Sequence, residues 1–293
     1  MQSTLIAWFG SHARELPWRA DNAAPWAVLV SEVMLQQTPV NRVLPVYTAW
    51  LERWPTPAAL AADTVADAIR AWARLGYPRR ALRLHACATV IADRFGNEVP
   101  RDIDDLLGLP GVGSYTAAAV ATFAYGQRHA VVDVNVRRVL ARAVRGVADA
   151  GPATTTADMA LMAQLLPTAP RRAVRFCAAV MELGAVICRA QQPACHHCPL
   201  ARRCTWRRAG SPELRQAKKR TQRYDGTDRQ VRGRLLAALR DASQPLEGRI
   251  LDDTWHLPQQ RLRALNSLLS DRLVEQCPDG RYALAGEVLL QRT

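Results

Sequence analysis

The chain has no apolar run long enough to span a bilayer, and its N-terminus lacks the layout of a secretory signal. Those absences argue against membrane-spanning helices and lead to the expectation of a soluble, cytoplasmic protein. Without an export route its seven cysteines are not expected to pair as disulfides, because cytosolic thiols stay reduced. Strand signals are nearly absent before residue 270, which leaves an all-α fold. Lysine is almost missing as well. Only Lys218 and Lys219 occur, so the positive charge of the 293-residue chain rests on arginine.

That charge is +13 and unevenly spread: residues 1–225 hold 29 basic and 17 acidic residues, while residues 226–293 hold ten and nine. A biased genome explains arginine in place of lysine but not the excess over acids. A basic body favours a polyanion such as DNA through counterion release.

Apolar residues recur at three- and four-residue spacing in 58–75, 80–95, 116–124, 134–144 and 171–188, which predicts helices ended by Gly and Pro. Residues 207–225 read as an exposed basic linker inside a stretch (202–223) with nine Lys/Arg and one acid. Beyond it the pattern predicts a helix at 228–241, short helices near 247–254 and 258–271, and strands 273–276 and 281–284 around a Pro278-Asp279-Gly280 turn. Three helices and a hairpin suggest a winged-helix-like module over 226–293. Its near-neutral charge argues against strong DNA binding of its own and leaves packing or contact with another protein.

Four cysteines stand out: Cys188, Cys195, Cys198 and Cys204. Four close thiolates can bind zinc tetrahedrally or anchor an iron–sulfur cluster. Zinc sites more often pair two CxxC units at longer separation, and here there is one. Cys87, Cys177 and Cys277 stand alone and read as small buried apolar residues.

Three further segments carry candidate chemistry. Leu109-Pro110-Gly111-Val112-Gly113 lies between short helices. Its glycines permit close backbone approach, and the second helix offers free N–H groups to a phosphate, as in a helix-hairpin-helix. An ordinary tight turn is the alternative. Asp133 and Asn135 open a helix behind two valines, where the plain reading is an N-cap. Glu32 sits in an apolar stretch, which disfavours its charged form and suits a general acid; a surface glutamate is the alternative.

In one order, SEVMLQQT, LGY, LPGVGSYT, VDVNVRRV, MELGAVIC and the C-x6-C-x2-C-x5-C group resemble the adenine DNA glycosylase (MutY-type) branch of the helix-hairpin-helix DNA glycosylases. The resemblance covers roughly residues 5–206. It implies a two-lobed all-α fold, with a six-helix barrel over about 25–130 and a second lobe from the N-terminus plus about 131–206, and DNA across the cleft. It implies a [4Fe–4S] cluster on the four cysteines, structural in role. The implied substrate is double-stranded DNA containing adenine opposite guanine or 8-oxoguanine, acted on by a monomer.

By that resemblance Glu32 protonates the flipped-out adenine, and Asp133 stabilises the sugar cation. Asn135 and Tyr115 orient them. Trp18, Arg19 and Glu182 match the adenine pocket, Gln37 and Tyr77 the wedge beside the opposing base, and Gly111 and Gly113 the backbone grip. Strand-cutting relatives carry a Schiff-base lysine where Tyr115 stands, so a monofunctional enzyme is implied.

Val134 and Pro78 depart from the family pattern, which has glycine and tyrosine there. The last 68 residues are too short for the family's Nudix-like domain that recognises 8-oxoguanine, which leaves that preference open. A thymine- or uracil-mismatch glycosylase on the same scaffold is the nearest rival, and a non-catalytic iron–sulfur DNA sensor is a second.

Overall fold

The computed structural model describes residues 1–212 and 224–287. Most of the expected basic linker, 213–223, lies outside them. Fifteen α-helices are named in chain order: α1 (Gln2–His12), α2 (Pro25–Leu35), α3 (Val40–Arg53), α4 (Pro57–Ala62), α5 (Val65–Ala71), α6 (Arg79–Arg94), α7 (Ile103–Leu107), α8 (Ser114–Phe123), α9 (Val134–Leu140), α10 (Thr156–Leu165), α11 (Pro170–Val186), α12 (Thr205–Arg208), α13 (Asp228–Asp241), α14 (Gly248–Asp252) and α15 (Pro258–Ser270). Two short strands follow, β1 (Val274–Gln276) and β2 (Tyr282–Leu284). No helix among the described residues is long and apolar enough to cross a membrane.

Two predicted helices are interrupted. The segment 58–75 breaks at Asp63, whose carboxylate accepts from Trp54 Nε1 at 2.8 Å. Thr64 then caps α5 by accepting from Asp67 N at 3.0 Å. The segment 134–144 gives way after α9 to a wider π-helical turn, Ala141–Arg145, which ends at Gly146 with φ +75°.

The described residues form two compact units with interleaved chain ranges. The first takes residues 1–32, 100–108 and 112–212. Its core is the apolar stripe of α11 (Ala173, Phe176, Cys177, Val180, Leu183) against Leu5, Val131, Val132, Val136 and Met162. Gly184 continues that stripe at the point of closest approach to α9. A Cβ added there would lie 2.7 Å from both Cβ and backbone O of Asn135. In the same unit Arg137, 5% exposed, donates to Asp158 Oδ2 at 3.0 Å, and Thr155 and Asp158 form a capping box on α10.

The second unit takes residues 33–99, 109–111 and 224–287. Trp50 stacks edge-on to Trp54 at 4.5 Å and to Trp72 at 5.7 Å, all three buried. Beside them Arg80, 6% exposed, spreads its guanidinium over five oxygens. Nη1 donates to the carbonyls of Val33, Met34 and Gln36 at 2.8, 2.9 and 2.6 Å. Nη2 donates to Thr38 Oγ1 at 2.9 Å and to the Gly76 carbonyl at 3.0 Å. The unravelling end of α2 and the turn before α6 are thereby fixed to one group.

Residues 224–287 belong to this second unit. Val231, Leu235, Leu239, Leu251, Trp255, Leu268 and Leu273 share one buried cluster with Ala66 and Ile69 of α5. Strands β1 and β2 pair antiparallel with Val274 opposite Leu284, and Leu246 bridges to Tyr282 beside them.

Both tight spots can be tested by stability. Gly184→Ala must displace α9, and overpacking of this kind costs about 1–3 kcal/mol. Denaturant unfolding should show that loss, and an unchanged midpoint would rule out the tight approach. Arg80→Lys supplies too few donors for five acceptors and should cost about 2–5 kcal/mol, measured the same way.

Candidate active site

Within the first unit, α2 carries Glu32 inward among Trp26, Val28, Leu29 and Val30. The carboxyl is 6% exposed. Burial raises it to about 7; the Tyr115 hydroxyl, which hydrogen-bonds to it, opposes the rise, the charge of Asp133 adds to it, and Arg19 opposes it. Tyr115 stands in the first turn of α8, and burial followed by the two neighbouring carboxylates lifts its phenol well above the ordinary value. It is a phenol, not a phenolate, at neutral pH.

Asp133 is the N-cap of α9, as the plain reading has it. Its Oδ1 accepts from Val136 N and its Oδ2 from Asn135 Nδ2, both at 2.7 Å. Burial raises its pKa against these donors and against Arg138. Asn135 is held in turn, its Oδ1 accepting from Arg138 Nη2 at 2.7 Å. Arg138 also donates to the carbonyls of Gly184 at 2.7 Å and Cys188 at 2.6 Å. Asp133 is therefore connected by hydrogen bonds to the first of the four spaced cysteines.

Glu182 on α11 is fully buried. Its oxygens accept from Arg14 Nε at 2.6 Å, Arg14 Nη2 at 2.8 Å, Arg14 N at 3.1 Å and Arg19 Nη2 at 2.9 Å. Burial pushes this carboxyl up, but the two arginines outweigh it and hold it below the usual range. Glu182 thus anchors Arg14 and Arg19, while Nη1 of Arg19 is buried without an acceptor. Trp18 lies buried next to Arg19 in sequence. Sequence reasoning missed Arg14, because nothing in the turn after α1 marks it out.

The loop 109–113 has the glycines it needs. Gly111 has φ +79°, and an added Cβ would lie 2.7 Å from Cβ of Arg83. Gly113 is the N-cap of α8 with no side-chain cap bond, and a Cβ added to it would meet nothing within 4 Å.

Gln37 and Tyr77 lie in the second unit, both non-glycine residues with positive φ, 54° and 48°. Arg80 secures both loops, and its guanidinium sits 5.7 Å from the Tyr77 ring. Arg80 also went unnoticed in the sequence. The signal was there, since Arg80, Leu84, Cys87 and Ile91 fall on one face of α6 at spacings of four, three and four.

The four cysteines are half-buried in the first unit. Burial raises the Cys198 thiol to about 11, with charge on Cys188, Cys204 and Cys195 adding to the rise. Arg142 donates to Cys188 Sγ at 3.6 Å, and its own carbonyl accepts from Cys204 Sγ at 3.5 Å. Among the described residues no three Cys, His, Asp or Glu side chains converge tightly enough to hold a single metal ion.

Residues 30–163 match the HhH-GPD superfamily of base excision DNA repair proteins. An adenine DNA glycosylase of Mycolicibacterium smegmatis is 56% identical over 287 residues, 97% of this chain and 95% of that protein. One from Mycobacterium tuberculosis is 55% identical over 289 residues, covering 97% and 93%. A solved thermostable thymine-DNA glycosylase shares the fold at TM-score 0.63 and 27% identity, covering 71% of this chain and 95% of that one. With identity above one half along nearly its whole length, the chain belongs to the adenine DNA glycosylase family of the helix-hairpin-helix superfamily.

Proposed function

We propose that the protein hydrolyses the N-glycosidic bond of adenine mispaired with guanine or 8-oxoguanine in double-stranded DNA, leaving the strand intact. The observation that carries this reading is a buried glutamic acid, raised to about 7, sharing a site with a hydrogen-bonded aspartate at a helix N-terminus.

The base has to leave the stack before any side chain reaches it. Glu32 then gives its proton to adenine N7. The C1′–N9 bond breaks with its electron pair going to the base, and positive charge develops on the sugar. Asp133, oriented by Asn135 and Val136 N–H, faces that charge as a carboxylate. Water adds to C1′ and releases a proton, which completes the hydrolysis. The buried, acceptor-less Nη1 of Arg19 supports a pocket for a base that presents a ring nitrogen. Tyr115 has no amine, so no Schiff base forms at its position.

Cys188, Cys195, Cys198 and Cys204 are the residues that would hold a [4Fe–4S] cluster. Four closely spaced thiolates are the soft donor set such a cluster takes, and when bound it would tie residues 188–204 into a fixed loop, a structural role.

Single-turnover assays on A:8-oxoguanine, A:G, T:G and U:G duplexes test the reading. Adenine should be released, with strand scission appearing only after alkali; release of thymine or uracil instead would favour the mismatch-glycosylase alternative. Glu32→Gln should slow excision by about a hundred- to ten-thousand-fold while duplex binding persists. The wild-type rate should fall as pH rises through about 7, because the acid form of Glu32 is lost there. The linkage has the same origin: the carboxyl prefers its proton in the folded state, so stability declines between its unfolded value and about 7. Glu32→Gln should remove that decline and be the more stable protein at pH 8, by up to about 3 kcal/mol. A flat pH–rate profile across pH 6–8 would contradict the assignment.

The purified protein should contain about four irons per chain with matching acid-labile sulfide, and Cys198→Ser should lose both. Stoichiometric zinc without iron would replace the cluster by a zinc site.

A further inference from the structure

The second unit contains a groove of about 880 Å³ whose lining includes Gln37 and Tyr77 but whose arginines no part of the proposed chemistry uses. Nine arginines line it and a single acid, Asp271. Asp271 is already taken by Arg232 at 2.6 Å and Arg79 at 3.2 Å. Arg80 is consumed by backbone carbonyls. Arg42, Arg74, Arg83, Arg229 and Arg234 are exposed, and none of the five ion-pairs with an acid among the described residues. Arg240 behind them has Nε buried without an acceptor, and burial lowers it to about 10 against the charge of Asp241, with Arg74 adding to the fall. The groove is a concentration of positive charge with almost no internal counter-charge.

Its two walls come from different parts of the chain. One is α3, the turn 73–78 and α6; the other is α13 of the C-terminal segment. Arg229 of α13 sits 5.6 Å from the ring of Tyr77 and 5.8 Å from that of Tyr224. With Arg80 on the ring of Tyr77 at 5.7 Å and on Trp72 at 5.1 Å, cations and rings alternate from the Trp core to the surface. Both tyrosines remain half exposed, so each can still meet a ligand. Residues 226–287 are near-neutral overall, yet four of their arginines and only one of their acids face this groove.

We infer that this groove binds the phosphodiester backbone of duplex DNA beside Tyr77, so that the C-terminal segment is a DNA-contacting element. Guanidinium forks match phosphate oxygens in pairs, and the five exposed arginines without an acid partner along this 880 Å³ groove suit a run of phosphates better than a single one. The inference rests on the reading that the protein acts on duplex DNA.

The test is the salt dependence of binding to an undamaged duplex, measured on the full-length protein. Removing one arginine–phosphate interaction lowers the slope of log K against log salt by about 0.9. Arg74→Ala with Arg229→Ala should therefore flatten the slope by about two, and the corresponding pair of lysine substitutions should largely restore it. Arg249 and Arg281 serve as the control, since each is paired with an acid away from the groove, Glu247 and Asp279. Arg249→Ala with Arg281→Ala removes the same charge and should leave the slope unchanged. Equal flattening by both pairs, or none by the first, overturns the groove. Wild-type protein that releases adenine while the Arg74/Arg229 pair binds with an unchanged slope would refute the groove alone. Steep, groove-dependent duplex binding without adenine release would refute the glycosylase reading and leave the groove standing.

Discussion

Helix ends and the loops that follow them leave carbonyl groups without partners inside a protein, and here arginine forks satisfy many of them. Arg80 takes the end of α2, Arg137 the carbonyls of Ala150 and Gly151, Arg138 those of Gly184 and Cys188, and Arg142 those of Ala148, Arg189 and Ala190. Each ties a loop to a helix by several donors at once. A lysine has three donors on a single rotating nitrogen and could not replace any of them. The scarcity of lysine therefore has a structural side, beyond any bias in the genome.

The same device positions the carboxyls of the candidate site. Arg14 and Arg19 close over Glu182, and Arg138 holds the amide that holds Asp133. What remains without compensation is Glu32. Its apolar helix withholds an ion-pair partner close enough to cancel the cost of burial, and that omission keeps the carboxyl protonated near neutral pH. The site thus sets two carboxyls apart by their surroundings. Glu182 gets two guanidinium groups and is held below the usual carboxylate range; Glu32 gets a phenol and is raised to about 7.

Much of this was legible in the sequence, for reasons particular to each residue. Asp133 could be placed at a helix start because a cap needs a short acceptor there, and the cap is also what aims it. Glu32 showed as a carboxyl in an apolar run. The helical character of 58–75 and 134–144 was legible from periodicity, but their breaks were not, since neither the bond from Trp54 to Asp63 nor the π turn after α9 can be read from spacing. Arg80 was hidden among neighbouring arginines, although its register with Leu84 and Ile91 betrays it. Arg14 was not legible at all, because its partner Glu182 lies 168 residues away.

Net charge was the least informative quantity for the C-terminal segment. A sum of +1 over residues 226–293 describes a neutral module only if its charges are mixed, and they are not. Its apolar side joins α5 through Ala66 and Ile69, which fixes the orientation of α13 and brings Arg229, Arg232, Arg234 and Arg240 to one face. Several of its acids face elsewhere, each beside an arginine: Glu247 with Arg249, Asp252 with Arg261, Asp279 with Arg281. The pairs of Glu247 with Arg249 and Asp279 with Arg281 are exposed and worth little to stability. Their effect is to remove negative charge from competition, so that the groove keeps a positive field that the total conceals. Burial of the segment's apolar side is therefore the step that creates the charged surface, since docking on α5 sorts charges that the chain order intermixes.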